Sequence, residues 1–286
     1  MSDEKIAILS DTHANLEALT LVLNDINFRG IEKIWHLGDI IGYGPNPVEC
    51  LELAQKNFEL SLAGNHEIAT RAKMYSPAVH LHGFSGTGAV DGIHWAIRQL
   101  YGDATPIQKD HAEAEQYMRA IVERAPKHSS LIEYLKKLHA KEVPMQGVLV
   151  VHDNEKSPGD MKYMLPDEKM GLTKHAYAID DEVFERLNES GVKRCFFGHS
   201  HMPGEYQSDG YPEIKVVNVG SVGLPRVGNF AATYVIWHPG ADKELEFVEL
   251  PLDWQVTNKK MIEAGLPEKL RCAHEKLSSE HHGELD

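Results

Sequence analysis

Asp11 and His13, Asp39, Asn65, His152, and His199 with His201 are the side chains of this chain best suited to chemistry. They fall in five short clusters: Ser10-Asp11-Thr12-His13, Gly38-Asp39, Gly64-Asn65-His66-Glu67, Val151-His152 and Gly198-His199-Ser200-His201. Each cluster sits beside a turn residue or at the end of an apolar run. Seven mixed nitrogen and oxygen ligands exceed what one tetrahedral zinc needs. They suit two hard or borderline divalent ions that share a bridging carboxylate. A two-metal site implies a reaction class, usually hydrolysis at phosphorus.

In an extended segment, residues two apart point the same way, so Asp11 and His13 can converge on one ion. His199 and His201 can do likewise, or can serve two adjacent ions if the loop turns between them. Asp39, alone after Gly38, offers two oxygens and is the natural bridge. Asn65 offers a neutral amide oxygen. An isolated Asp or Asn beside Gly is a turn residue; it is the company of the other clusters that favours ligation. His36, on an apolar run, reads as a core histidine. His80 and His82 share an HxH spacing, but no partner cluster follows them.

The elements that must position these residues alternate. Ile6 to Leu9 is a short apolar run that reads as a buried strand, followed by helical spacing at Leu16, Leu19, Leu23 and Ile26. A second strand at Ile34–Leu37 ends at Gly38-Asp39, a helix spans Val48 to Lys56, and a third apolar run over Phe58–Leu62 ends at Gly64-Asn65. This alternation predicts an α/β fold with ligands at the carboxyl ends of strands. Residues 74–146 break the rhythm and carry three helical patterns, read as a helical insertion placed to cap the ligands. Strands resume at 147–151, 194–197, 214–217, 232–237 and 245–250. A C-terminal helical tail is expected over about 253–286, the whole forming one domain.

With 42% hydrophobic residues, this chain is globular. Its net charge, 29 − 43 = −14, argues against a large nucleic-acid surface. It leaves room for a nucleotide substrate, because bound divalent ions would make the site locally positive. The cysteines, Cys50, Cys195 and Cys272, are odd in number and form no CxxC pair, which suits reduced thiols. There is no apolar signal core at the start and no run near the ~18 apolar residues of a membrane span. The expected location is the cytoplasm, with no membrane partner.

The order D-x-H, G-D, G-N-H-[DE], a lone His after a strand, and G-H-x-H resembles the calcineurin-like metallophosphoesterases. Asp11-Thr12-His13-Ala14-Asn15-Leu16-Glu17-Ala18-Leu19 and Gly220-Ser221-Val222-Gly223-Leu224-Pro225-Arg226 are similar to a bacterial and archaeal phosphodiesterase-like branch. The resemblance implies a four-layer α/β/β/α sandwich. It implies two divalent ions drawn from Mn, Fe, Zn, Co and Ni, with manganese favoured for activity. Asp11, His13, Asp39 and His201 would hold one, and Asp39, Asn65, His152 and His199 the other. A hydroxide between them would attack phosphorus, with His66 protonating the leaving oxygen.

Relatives that hydrolyse phosphoproteins or dinucleoside tetraphosphates carry G-D-x-x-D-R-G, whereas this chain has Gly38-Asp39-Ile40-Ile41-Gly42-Tyr43-Gly44. Gly42 replaces the Asp that would orient the catalytic His, and Tyr43 replaces an Arg that would grip a monoester dianion. The expectation is therefore a phosphodiesterase acting on a small phosphoester, a nucleotide among the candidates, with Arg226 and Tyr43 as substrate contacts. The alternatives are a phosphomonoesterase for nucleotides or phosphoproteins, and a non-catalytic scaffold of the same fold. Asp153 stands where Gly is usual after the lone His, and is a further carboxylate available to support a ligating histidine.

Overall fold

The computed structural model describes residues 4–76, 88–103, 111–166, 176–226, 231–268 and 270. The first half runs β1 (Ile6–Leu9), α1 (Leu16–Phe28), β2 (Lys33–His36), α2 (Pro47–Asn57), β3 (Leu60–Ser61) and α3 (Asn65–Tyr75). Helices α4 (Ala89–Leu100), α5 (His111–Val122) and α6 (Ser129–Lys137) follow. Then come β4 (Lys141–Met145), β5 (Val148–Val151), β6 (Tyr163–Leu165), β7 (Ala176–Ala178), α7 (Asp181–Glu189) and β8 (Arg194–Phe197). The chain continues through β9 (Gly204–Tyr206), β10 (Lys215–Asn218), β11 (Ala231–Trp237), β12 (Leu245–Pro251) and α8 (Trp254–Glu263).

Two five-stranded sheets form, ordered β12-β11-β1-β2-β3 and β4-β5-β8-β10-β9. Each has three neighbouring parallel strands: β1, β2 and the edge strand β3 in one, β5, β8 and β10 in the other. Strands β11, β12, β4 and β9 pair antiparallel at the flanks.

Strand periodicity explains the layers. Ile6 and Ile8 of β1 join Val148, Val150, Phe196 and Val217 in the cluster between the sheets. Ala7 and Leu9 face the opposite way, toward Leu19 and Val22 of α1 and Leu51 of α2. Beyond the second sheet, Val183, Phe184 and Leu187 of α7 cover Cys195, Phe197 and Val216. The result is the expected α/β/β/α sandwich.

The stretch read as a helical insertion holds α4–α6 and ends in a strand, since β4 pairs with β5. Leu131, Ile132 and Leu135 of α6 pack into the same outer layer as α1 and α2. The third apolar run contracts to Leu60–Ser61 because Phe58 closes α2, its N–H donating to Ala54 O. Helices α3 and α7, strand β9 and the small β6–β7 sheet were not foreseen. Cys50 and Cys195 are buried free thiols. Among the described residues no helix is long and apolar enough to cross a membrane. His80, His82, Cys272 and most of the expected tail lie outside the described residues.

Candidate metal centre

All seven expected ligands are buried and follow the carboxyl ends of parallel strands. Asp11 and His13 follow β1, Asp39 follows β2, and Asn65 opens α3 after β3. His152 follows β5, and His199 and His201 follow β8. Three groups have ligand atoms within 4.8 Å of one another: Asp11, His13 and His201; His13, Asp39 and His66; Asp39, His152 and His199. Asp39 belongs to two of them. Its Oδ2 lies 3.8 Å from His13 Nε2 and 3.3 Å from His152 Nε2. Its Oδ1 accepts the His66 backbone N–H at 2.9 Å. Asn65 Oδ1 lies 3.0 Å from His152 Nε2.

The backbone does not converge through extended geometry. Asp11, His13, Asp39, His199 and His201 all have positive φ, from 49° to 63°. Such strain in non-glycine residues clusters at functional sites and persists only where surroundings over-determine it. Here the N–H groups of Asp11 and His13 bond to Gly38 O and Asp39 O, and that of His199 to Asp11 Oδ2 at 2.9 Å. The turn after His199 also separates the HxH pair. His199 joins the Asp39 and His152 group and His201 joins Asp11 and His13.

Backbone carbonyls aim the rings. His152 Nδ1–H donates to Leu37 O at 2.9 Å and His201 Nδ1–H to Leu224 O at 2.5 Å, leaving both Nε2 lone pairs toward the centre. His199 is reversed: Nε2–H donates to Met161 O at 3.3 Å, which leaves Nδ1 as its lone-pair atom. Carbonyl partners cannot be read from side-chain identity, so these contacts are visible only in the fold. Glu67 is a further such support. Its carboxylate accepts from the N–H groups of Asp39 (2.8 Å), Ile41 (3.0 Å) and Gly64 (2.8 Å), tying two ligand loops to the start of α3.

The donor set calls for positive charge. Asp11 Oδ1 is buried without a hydrogen-bond partner, 3.2 Å from the His201 Nε2 lone pair. His13 Nε2 and His201 Nε2 are 3.1 Å apart. Burial pushes His13 well down and His199 to about 3, so both are neutral imidazoles able to donate lone pairs. Burial would lift the Asp11 carboxyl, but positive charge placed on the His201 and His152 side of the site holds it below the usual range, and a cation there would supply that charge. Burial opposes the His152 imidazolium, yet Asp39 holds it up to about 10; a divalent cation would take that proton's place. The residues therefore fit metal.

Residues 5–241 match the model of the calcineurin-like phosphoesterase superfamily domain. The chain belongs to that superfamily. It is 32% identical over 282 residues to an uncharacterized protein of Methanocaldococcus jannaschii, covering 94% of this chain and 97% of the relative. A metallophosphoesterase from Sphaerobacter thermophilus superposes with TM-score 0.67 at 25% identity, over 96% of this chain and all of that one, 100%. A hypothetical protein from Pyrococcus horikoshii shares the fold, with TM-score 0.63 at 20% identity over 98% of this chain and 99% of its own.

Within this calcineurin-like frame the departures acquire a geometry. Gly42 has φ +102°, and a Cβ on it would collide with the His66 ring, Cγ lying 2.7 Å from that position. No side chain fits where an orienting carboxylate would stand. His66 is instead packed between Tyr43, ring centroids 4.7 Å apart, and His13 at 4.9 Å. Tyr43 therefore lines the centre. Arg226, half-buried, lies within electrostatic reach of Tyr163, Tyr43 and Asp11, and its Nη1 is buried without a hydrogen-bond partner among the described residues.

Three further residues change or sharpen their expected parts. Tyr163, which belongs to none of the sequence clusters, stacks on His199 with centroids 4.2 Å apart and planes 16° from parallel. Asp153 accepts from the N–H groups of Asn154, Gly159 and Met161, so it shapes the loop that brings Met161 O to His199. His36 is the core histidine expected. It lies 2.8 Å from Thr12 Oγ1, accepts from Gly38 N–H, and burial pushes it down to about 3.

Proposed function

We propose that this chain is a two-metal phosphodiesterase for small phosphoesters. The observation that carries the reading is the position of Asp39: one oxygen is fixed by the start of α3 and the other is shared between His13 and His152. Asp11, His13, Asp39 and His201 would hold one cation; Asp39, Asn65, His152 and His199 would hold the other. Divalent ions held there, manganese for preference, would supply an acidified water for attack and compensation of phosphoryl charge. Two divalent cations against the two ligand carboxylates, Asp11 and Asp39, would leave the ligand set positive, which would favour an anionic substrate despite the chain's charge of −14.

His66 is placed to act on the leaving oxygen. It sits in the first turn of α3, its ring packed by Tyr43 and Gly42 on the same side of the centre as His13. Burial pushes its imidazolium down, which makes it a ready proton donor once charged. Arg226 and Tyr43 would contact the phosphoryl group. Tyr43 stands where an Arg would grip a dianion, which supports a diester with one charge fewer.

Arg226 supports a second reading. A half-buried guanidinium whose Nη1 is buried and unpartnered is the kind of group a monoester dianion would use. Rates on bis-p-nitrophenyl phosphate and p-nitrophenyl phosphate with Mn²⁺ separate the two. The diester should show about tenfold higher kcat/KM, a gap of about 1.4 kcal/mol in transition-state binding. The reverse ratio transfers the chain to the monoesterase class, and no turnover of either removes the enzymatic reading.

A further inference from the structure

Asp11 follows β1 in one sheet and His201 follows β8 in the other, yet Asp11 Oδ1 and His201 Nε2 lie 3.2 Å apart. Both residues hold positive φ, 55° and 59°, a conformation that needs support from its surroundings. The turn after β10 lies against both loops. Asn218 starts it, Nδ2 donating to Gly198 O at 2.9 Å and to Ser200 Oγ at 2.8 Å, while Oδ1 accepts from Gly220 N–H. On the other side, Val222 N–H donates to Ser10 O and Gly223 N–H to Asp11 O, each at 2.9 Å. Asn15 Nδ2 donates to Gly223 O at 3.0 Å. The approach is close enough that a Cβ on Gly223 would collide with the Thr12 carbonyl.

Ser221, fully buried, sits in the middle of this turn. Its Oγ donates to Asp11 O at 2.9 Å and accepts from Leu224 N–H at 2.9 Å. The Leu224 carbonyl in turn takes the Nδ1–H of His201. One hydroxyl, having both a donor and lone pairs, thus joins the backbone of a carboxylate ligand to the residue that aims a histidine ligand. Thr233 fixes Ser221 itself: its Oγ1 accepts Ser221 N–H at 2.8 Å and donates to Ser221 O at 3.2 Å. Without the Ser221 hydroxyl, Asp11 O would keep the Gly223 N–H. Leu224 N–H would lose its acceptor, and the peptide whose carbonyl follows would be free to turn. The damage would therefore fall on His201.

We infer that Ser221 is a positioning residue of the metal centre: across the two sheets, it sets the carbonyl that aims His201 in register with Asp11, and so shapes the cation position these two ligands share. The inference rests on the metal-binding reading of the site and needs no particular substrate. The histidines of the other position, His152 and His199, are aimed by Leu37 O and Met161 O, carbonyls outside this turn.

The test dialyses the full chain against graded free Mn²⁺ and counts bound ions by elemental analysis. Wild type, Ser221→Ala, His201→Ala, His199→Ala and the paired variants are compared. His201→Ala identifies the ion held with Asp11, and His199→Ala the other. Ser221→Ala should weaken the first ion about tenfold, in the range of losing a support to a ligating histidine, and the second by less than about twofold. Combined with His201→Ala it should have no further effect; combined with His199→Ala it should keep its full penalty. Ser221→Cys, whose thiol is a weak donor and acceptor, should lie between Ser221→Ala and wild type, and it carries the same comparison if Ser221→Ala does not fold. Tyr134→Phe, which removes a hydroxyl bonded to Ser61 Oγ at 2.6 Å, should leave both ions unchanged. The inference is overturned if the Ser221 variants bind both ions as wild type does, or weaken both equally. If the selective loss holds while no form turns over the diester, the Ser221 link stands and the phosphodiesterase reading falls. A wild type that binds one ion, weakened by His201→Ala and by Ser221→Ala, sinks the two-metal reading and leaves the link in place.

Discussion

Asp11, His13, Asp39, His199 and His201 share a backbone conformation that side chains rarely adopt, with φ between 49° and 63°. Each costs of order 1–3 kcal/mol, which the surrounding hydrogen bonds must offset. The residue types and spacings were legible in the sequence, because Asp, Asn and His beside Gly in five ordered clusters have few other uses. The cause of their convergence was not. Of the two arrangements open to His199 and His201, extended geometry would have sent them the same way; the turn between them, the other arrangement, assigns them to different groups. Gly42 tests the account at this scale. Ala there would be strained at φ +102° and would strike the His66 ring. Gly42→Ala should cut kcat on a diester by about 10² or more by displacing His66, in the range of losing a general acid. The Mn²⁺ content should stay at the wild-type level. Steady-state kinetics with elemental analysis checks both, and an unchanged kcat would show that the ring is not held by this contact.

The strands and the helices of the outer layer were legible from their apolar spacing, since burying them requires that spacing. Helix α3 was hidden for the opposite reason. Its buried residues include Asn65, His66, Glu67, Thr70 and Lys73, so it turns a polar face inward and shows no apolar stripe. The loop after β5 was also illegible, because what shapes it is one carboxylate bonded to its own backbone. Asp153 was readable as an unusual residue beside a ligand, but not as the support of His199 in place of His152. Asp153→Gly removes the acceptor for the N–H groups of Asn154, Gly159 and Met161. Losing several bonds to a buried carboxylate should destabilise the fold by about 2–3 kcal/mol. Met161 O would no longer be fixed on His199, so Mn²⁺ affinity should fall at least about tenfold, as for loss of a support to a ligating histidine. Thermal denaturation and metal titration measure the two effects. Unchanged metal affinity in a destabilised variant would mean that the loop matters for folding alone.

At the scale of the whole molecule, two sheets bring the ends of their parallel strands, β1, β2 and β3 with β5 and β8, to one centre. Helix α4 backs it: a Cβ on Gly92 would strike the Tyr43 backbone, and Trp95 Nε1 donates to Pro45 O at 3.0 Å. Helix α8 is tied in as well, Thr257 Oγ1 donating at 3.0 Å to the Asn15 side chain that caps α1. The sandwich was legible because alternating strands and helices with ligands at strand ends admit few arrangements. The way distant segments cross to reach one residue, as Leu37 O and Asn65 Oδ1 do at His152, was not, because nothing in either segment names the other. The central claim is that this architecture holds two cations for phosphodiester hydrolysis with His66 as the acid. The direct measurement is metal stoichiometry and bis-p-nitrophenyl phosphate turnover on Mn²⁺-loaded wild type and His66→Ala. The account predicts about two ions per chain in both proteins, with turnover reduced by about 10²–10⁴ in the variant. Wild-type turnover in His66→Ala, or no more than one ion bound by the wild type, would contradict it.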